Sequence, residues 1–212
     1  MSRQIGILKF MLFLAGLGPL AQLGWKAFHD GLGANPVEVI THSTGTWTLV
    51  FLLVTLSISP VRKLSGALWL IRFRRMLGLY AFFYGMLHFA TYIWLDKFFD
   101  IQEMSKDIYK RPFITVGFTA FVLLIPLATT STQGMIRRLG RRWQILHRLV
   151  YASAAMGVIH YLWLVKADRR VPEIYGIVLL ILLVYRVIQK LTVHSNGLTN
   201  RASETFIEVM HR

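Results

Sequence analysis

Apolar residues in this chain fall into six long runs, at about 5–27, 43–60, 76–95, 113–130, 145–165 and 172–191, separated by short polar segments rich in arginine and lysine. Each run is near the length that a helix rising ~1.5 Å per residue needs to cross a hydrocarbon core of ~30 Å. One soluble core cannot hide six such runs, so the pattern predicts a lipid environment. The expected fold is an all-α integral membrane protein: a six-transmembrane-helix bundle with short loops, one domain over 1–212, ending in a polar tail at 192–212. The first run continues into Trp25 and Lys26 with no small-residue cleavage site, so it reads as a span and not as a signal peptide. No internal repeat, low-complexity segment or Gly-rich phosphate loop is visible.

Composition supports the same class. Apolar residues make up 55% and charged residues 16% of the 212, and mean hydropathy is +0.51; soluble domains carry roughly 25% charged residues. The net charge of +14 would suggest nucleic acid in a soluble protein. Here the bases lie in loops between apolar runs, where an anionic leaflet holds them, and no nucleic-acid partner is expected. There is no cysteine, which excludes disulfides, thiolate-held iron–sulfur clusters and a thioether-linked haem. A resident metal must use nitrogen or oxygen ligands.

Six spans return both termini to one side. Sixteen of the 24 Lys and Arg residues fall on that side, among them Arg62, Lys63, Arg72, Arg74, Arg75, Arg137, Arg138, Arg141, Arg142 and Arg148. Eight of the ten carboxylates fall on the other. The positive-inside rule then places both termini in the cytoplasm. The longest external loop, Asp96 to Arg111, mixes charges with Phe98, Phe99, Ile101 and Tyr109, a pattern suited to an interfacial amphipathic helix or a docking surface.

Histidine dominates the ionisable residues inside the runs: His88 in the third, His147 at the entrance of the fifth, and His160 deeper in the fifth. Ionisable groups are costly in lipid, so each marks a candidate site. The third and fifth spans run in the same direction. His88 follows Arg75 by 13 residues and His160 follows His147 by 13, which sets His88 and His160 at one depth. Two imidazoles facing each other between helices suit the iron of a six-coordinate b-type haem. Gly85 and Gly157 precede them by three residues, where a missing side chain would admit a flat macrocycle. Tyr84, Tyr92 and Trp163 would pack around it. His147 has Arg74 or Arg75 as its depth partner and no matching histidine, so one haem is expected; His147 is left to a second haem with an unusual ligand, to ligand exchange, or to a flavin or quinone. Arg137, Arg138, Arg141 and Arg142 either anchor a loop to lipid headgroups or bind a flavin phosphate or an acidic donor protein. His42 and His29, near the external side, are assigned no role.

The stretch TSTQGMIRRLGRRWQILHRLVY at 130–151, with RRMLGL at 74–79, GLGANP at 31–36 and HYLW at 160–163, resembles the MsrQ (YedZ) family within the ferric reductase-like transmembrane group. The resemblance covers about residues 5–190. It implies a haem-binding subunit of the bacterial inner membrane, with histidines matching His88, His147 and His160, haem b and also FMN. It further implies electrons drawn from the quinone pool or a cytosolic flavin reductase and delivered to MsrP, a periplasmic molybdopterin methionine sulfoxide reductase. Relative to NADPH oxidases of the same group, the inner histidine of the third span and the soluble flavin–nicotinamide domain are missing, which calls for a separate donor. Two other functions fit the residues less well. One is a stand-alone ferric or cupric reductase. The other is a small proton-coupled transporter, which would want carboxylates in mid-span that this chain lacks.

Overall fold

The computed structural model describes the backbone of residues 2–210 and the side chains of residues 3–192. Helices account for all regular structure among them: α1 Ser2–Phe28, α2 Pro36–Ser65, α3 Arg74–Thr91, α4 Ile101–Lys110, α5 Pro112–Thr129, α6 Gln133–Leu139, α7 Arg141–Leu146, α8 Leu149–Leu164 and α9 Arg170–Met210. A 3-10 turn at Leu68–Phe73 leads into α3, and a π turn at Tyr92–Asp96 ends it. Among the described residues five segments are long and apolar enough to cross a membrane: Arg3–Phe28, Pro36–Ser65, Leu68–Asp96, Pro112–Thr129 and Arg170–Thr192. Their outward faces are apolar too, with Phe10, Leu14, Ile177 and Ile181 exposed.

The run expected at 145–165 is interrupted. Helix α7 stops at Leu146, His147 and Arg148 form a turn, and α8 then runs for 16 residues, roughly 24 Å at ~1.5 Å per residue. The expected polar tail continues α9 as far as Met210; its side chains beyond 192, His194 among them, and residue 211 lie outside the described residues.

Local chemistry explains the ends. Asn35 caps α2 by accepting from the Glu38 amide (3.3 Å), with Pro36 at the first helical position, and Gly66 closes it at φ +70°. Asp100 caps α4 through the Glu103 amide at 3.0 Å. Phe98 and Phe99, between the π turn and that cap, both have positive φ (47° and 63°), a costly conformation for bulky residues.

Two helix pairs, α2 with α3 and α5 with α8, form the body. Leu52, Leu56, Leu77, Ala81, Ala154 and Val158 are buried in the shared core. Helix α1 is held to α3 by two tyrosines. Tyr80 donates to the Phe13 carbonyl at 2.6 Å. The Tyr84 hydroxyl donates to Gly16 O (2.8 Å) and accepts from Leu20 N (3.2 Å), beside Pro19. Gly16 leaves room for the Tyr80 contact, because a Cβ there would lie 2.4 Å from the Tyr80 ring and force it to shift.

Candidate functional site

His88 on α3 and His160 on α8 meet between the helix pairs with ring centres 6.2 Å apart and ring planes at 73°. His88 Nδ1 lies 2.9 Å from Thr41 O on α2, and His160 Nδ1 lies 2.7 Å from Phe113 O on α5. A carbonyl oxygen only accepts, so in each neutral ring Nδ1 carries the hydrogen and Nε2 keeps its lone pair. Neither Nε2 has a hydrogen-bond partner among the described residues. The two histidines that residue counting pairs are thus neighbours in the structure.

The two histidines line a cavity of about 750 Å³ whose wall is mostly apolar, with Leu49, Leu52, Phe89, Phe118, Phe121 and Leu124. Imidazoles on opposite faces of one metal would have ring centres about 6 Å apart, from ~2 Å metal–nitrogen bonds plus the distance from nitrogen to ring centre. The observed separation matches that figure. Among the described residues no group of three or more His, Cys, Asp or Glu side chains converges. A metal held here takes its remaining ligands from the molecule that brings it, as iron does from a porphyrin. The residues thus fit a haem: two fixed nitrogen donors, an apolar slot and carbonyls that set both tautomers.

The glycines that matter most escaped the sequence reading. A Cβ on Gly117 would lie 2.6 Å from His160 Nδ1, and one on Gly45 would lie 3.0 Å from His88 Nδ1. Gly85 and Gly157 do line the cavity, but a Cβ on either would make ordinary contacts of 3.5 Å or more. Adding 72 to Thr41, Gly45, Gly85 and His88 gives Phe113, Gly117, Gly157 and His160. Each histidine bonds a carbonyl 47 residues earlier. A structural repeat is therefore present where the sequence shows none by inspection; the shared spacing of Gly and His was its only signal.

Three aromatics were expected around the ring, and one is there. Tyr92 lines the cavity. Tyr84 turns to α1, and Trp163 is 56% exposed away from the cavity wall. His42 lies on that wall, near the exposed mouth.

His147 is not brought to the other two histidines. Its Nε2 is 3.2 Å from Thr130 Oγ1, and its ring stacks on Trp143 at 3.9 Å. Trp143 Nε1 donates to Thr130 O at 3.0 Å, which fixes the turn between α7 and α8. Arg137 and Arg138 on α6, and Arg141 and Arg142 on α7, are all exposed and make no ion pair among the described residues.

The profile of a family described as "Ferric reductase like transmembrane component" matches residues 44–158, which take in α2 from Thr44 onward, all of α3 and α5, and α8 as far as Val158, two residues before His160. A protein of Herminiimonas arsenicoxydans named "Protein-methionine-sulfoxide reductase heme-binding subunit MsrQ" is 58% identical over 187 residues, 87% of this chain and 86% of the relative. Proteins of the same name from Azospira oryzae and Xanthomonas campestris pv. campestris are 55% and 50% identical, covering 89% and 87% of this chain and 82% and 87% of their own lengths. No solved structure gives a significant match.

Proposed function

The chain belongs to the ferric reductase-like transmembrane family and, within it, to the MsrQ group, and from that membership we propose that it is a haem b electron-transfer subunit of a protein-methionine-sulfoxide reductase system. The observation that carries this is the meeting of His88 and His160 across the cavity, each anchored through Nδ1. Haem b supplies a reversible one-electron centre when bound between them. The protein's part is to orient the two donors, to keep both rings in the tautomer that leaves Nε2 free, and to exclude water with the phenylalanine-lined wall.

In this proposal α8 counts as the fifth of six spans, both termini face the cytoplasm, and the chain sits in the bacterial inner membrane. The donor, a quinone or a cytosolic flavin reductase, engages the side carrying Arg137, Arg138, Arg141 and Arg142. Those four exposed cations suit the phosphate of FMN or the acidic face of a protein. The acceptor, the periplasmic molybdopterin enzyme MsrP, docks on the opposite side around residues 96–111 and repairs oxidised methionines there. The chain itself performs no substrate chemistry. His147, bound to Thr130 and Trp143, is a structural residue of the α7–α8 turn in this scheme.

The test is spectroscopic. Purified after haem-replete expression, the chain is expected to show a Soret band and a bis-imidazole spectrum, lost or strongly weakened in His88→Ala and His160→Ala and retained in His147→Ala. A folded, colourless wild type would overturn the proposal. A stand-alone ferric or cupric reductase is the other function that the family description favours; it predicts reduction of soluble metal chelates with no protein acceptor present.

A further inference from the structure

The cavity has two chemically different ends. Its inner end is closed by Leu52, Ala120, Leu124 and Ser153, whose hydroxyl is spent on the Ala120 carbonyl at 2.9 Å. Its outer end is polar and reaches the exposed ends of α2, α3 and α5, where Glu38, His42, Tyr92, Asp96 and Arg111 lie on the wall. A macrocycle such as haem is amphiphilic: an apolar ring with two carboxylates on one edge. Burying an unpaired carboxylate costs several kcal/mol, so the edge that carries them belongs at the outer end.

Two side chains there keep donor groups that no described residue uses, the buried Tyr92 hydroxyl and the terminal nitrogens of the half-exposed Arg111. The Tyr92 hydroxyl is buried with no hydrogen-bond partner among the described residues, and it sits one helical turn beyond His88. A buried, unsatisfied hydroxyl is expensive and calls for an explanation. Arg111 precedes the Phe113 carbonyl that holds His160 by two residues. Its Nε lies 3.3 Å from Asp107 Oδ1, while its terminal nitrogens bond nothing among the described residues. The neighbouring acids each have another group within 4 Å, three of them sharing Lys97. Lys97 Nζ lies 2.8 Å from Asp107 Oδ2, 2.9 Å from Glu103 and 3.7 Å from Asp96, and Glu38 accepts from the Asn35 amide at 3.0 Å.

We propose that Arg111 and Tyr92 form a carboxylate-binding subsite at the outer mouth of the cavity, which receives the propionates of the haem and orients that edge toward the outer loop. The subsite rests on the haem-binding function proposed above. Asp107 positions the Arg111 fork by holding Nε, which leaves two parallel N–H groups for one carboxylate, the geometry in which arginine binds strongly. Tyr92 adds one O–H donor.

The test compares two pigments on the full-length chain: haem, and haem dimethyl ester, which keeps the ring and iron but has no anionic carboxylates. Each is loaded into wild type, Arg111→Gln, Arg111→Lys and Tyr92→Phe, and its loss to excess apomyoglobin is followed at the Soret band. With haem, Arg111→Gln is expected to speed dissociation roughly tenfold or more, the scale of a lost charge-assisted hydrogen bond. Tyr92→Phe acts in the same direction but more weakly, and Arg111→Lys restores part of the loss. With the ester, all four proteins release pigment at similar rates. Equal acceleration for both pigments, including by a variant that folds poorly, or no acceleration in either Arg111→Gln or Tyr92→Phe, overturns the subsite. A wild type that takes up neither pigment overturns the haem-binding function itself.

Discussion

His88 and His160 reach each other from equivalent places in two helix pairs, each ring held by a carbonyl 47 residues before it and each backed by a glycine 43 residues before it. The ring-centre separation of 6.2 Å is thus set by two copies of one local arrangement. Neither ring is free to swing toward the cavity centre or away from it without losing its carbonyl.

The glycines behind the rings make the first prediction. Gly117→Ala puts a methyl 2.6 Å from His160 Nδ1, which drives the ring off the Phe113 carbonyl. Gly45→Ala meets His88 at 3.0 Å and asks for a smaller shift. Haem retained per protein, read from the Soret band, is expected to fall most for Gly117→Ala, less for Gly45→Ala, and little for Gly85→Ala or Gly157→Ala. A uniform response across the four would show that the ring contacts are unimportant.

Tyr84 supplies a contrasting case. Its hydroxyl bridges Gly16 O and Leu20 N, where insertion next to Pro19 can substitute for helical bonding. Tyr84→Phe removes a buried donor and acceptor together, at a cost of about 1–3 kcal/mol. Thermal unfolding in detergent is expected to shift down by on the order of 5 °C, with the haem spectrum unchanged because Tyr84 lies off the cavity wall. Loss of haem at an unchanged midpoint would contradict this placement.

Five of the six apolar runs coincide with helices long and apolar enough to cross a membrane among the described residues, and the two histidines that counting from Arg75 and His147 pairs are neighbours. Facing was harder to read. In a soluble helix the polar stripe marks the outside, but in lipid both the core and the surroundings are apolar, so nothing in the pattern shows where a given aromatic points. Tyr84 and Trp163 were misplaced for that reason. The interruption at His147–Arg148 was hidden by the continuous apolar run on either side. Gly45 and Gly117 were visible only through the 72-residue offset that they share with the histidines, because a glycine in a membrane helix carries little information alone.

Lys97 gives a prediction about pH. Hydrogen bonds that it donates to Asp107 and then to Glu103 hold its ammonium above the usual lysine range. A raised pKa means that this stabilisation is fully present below the unfolded value of ~10.4 and fades only as pH climbs through the higher folded value. Docking of α4 is therefore expected to be insensitive to Lys97 titration from neutral pH to about 10. Lys97→Met strips the cation from a buried carboxylate, and amide exchange over residues 101–110 is expected to accelerate at least severalfold. Unchanged protection there would mean that α4 is held by its apolar contacts alone.

The last prediction concerns a cation in the apolar part of α9. Pro60 has no N–H, so the Leu56 carbonyl one turn earlier in α2 lacks its helical donor. Arg186 Nη2 fills that place at 2.7 Å, while Nη1 bonds the Tyr151 hydroxyl and the guanidinium lies 4.9 Å from the centre of the Tyr151 ring. The two terminal nitrogens are thus bonded by a freed backbone dipole and a tyrosine hydroxyl, while Nε has no hydrogen-bond partner and no carboxylate is paired to the charge among the described residues. Arg186→Met strands the Leu56 carbonyl and is expected to cost about 2 kcal/mol in unfolding experiments in detergent. Pro60→Ala returns an N–H to that carbonyl, so the same Arg186→Met change made on top of it is expected to cost about 1 kcal/mol less, a coupling of the size found between residues in contact. An equal cost in both backgrounds would show that Arg186 works through Tyr151 alone, and that the proline and the arginine are neighbours by accident.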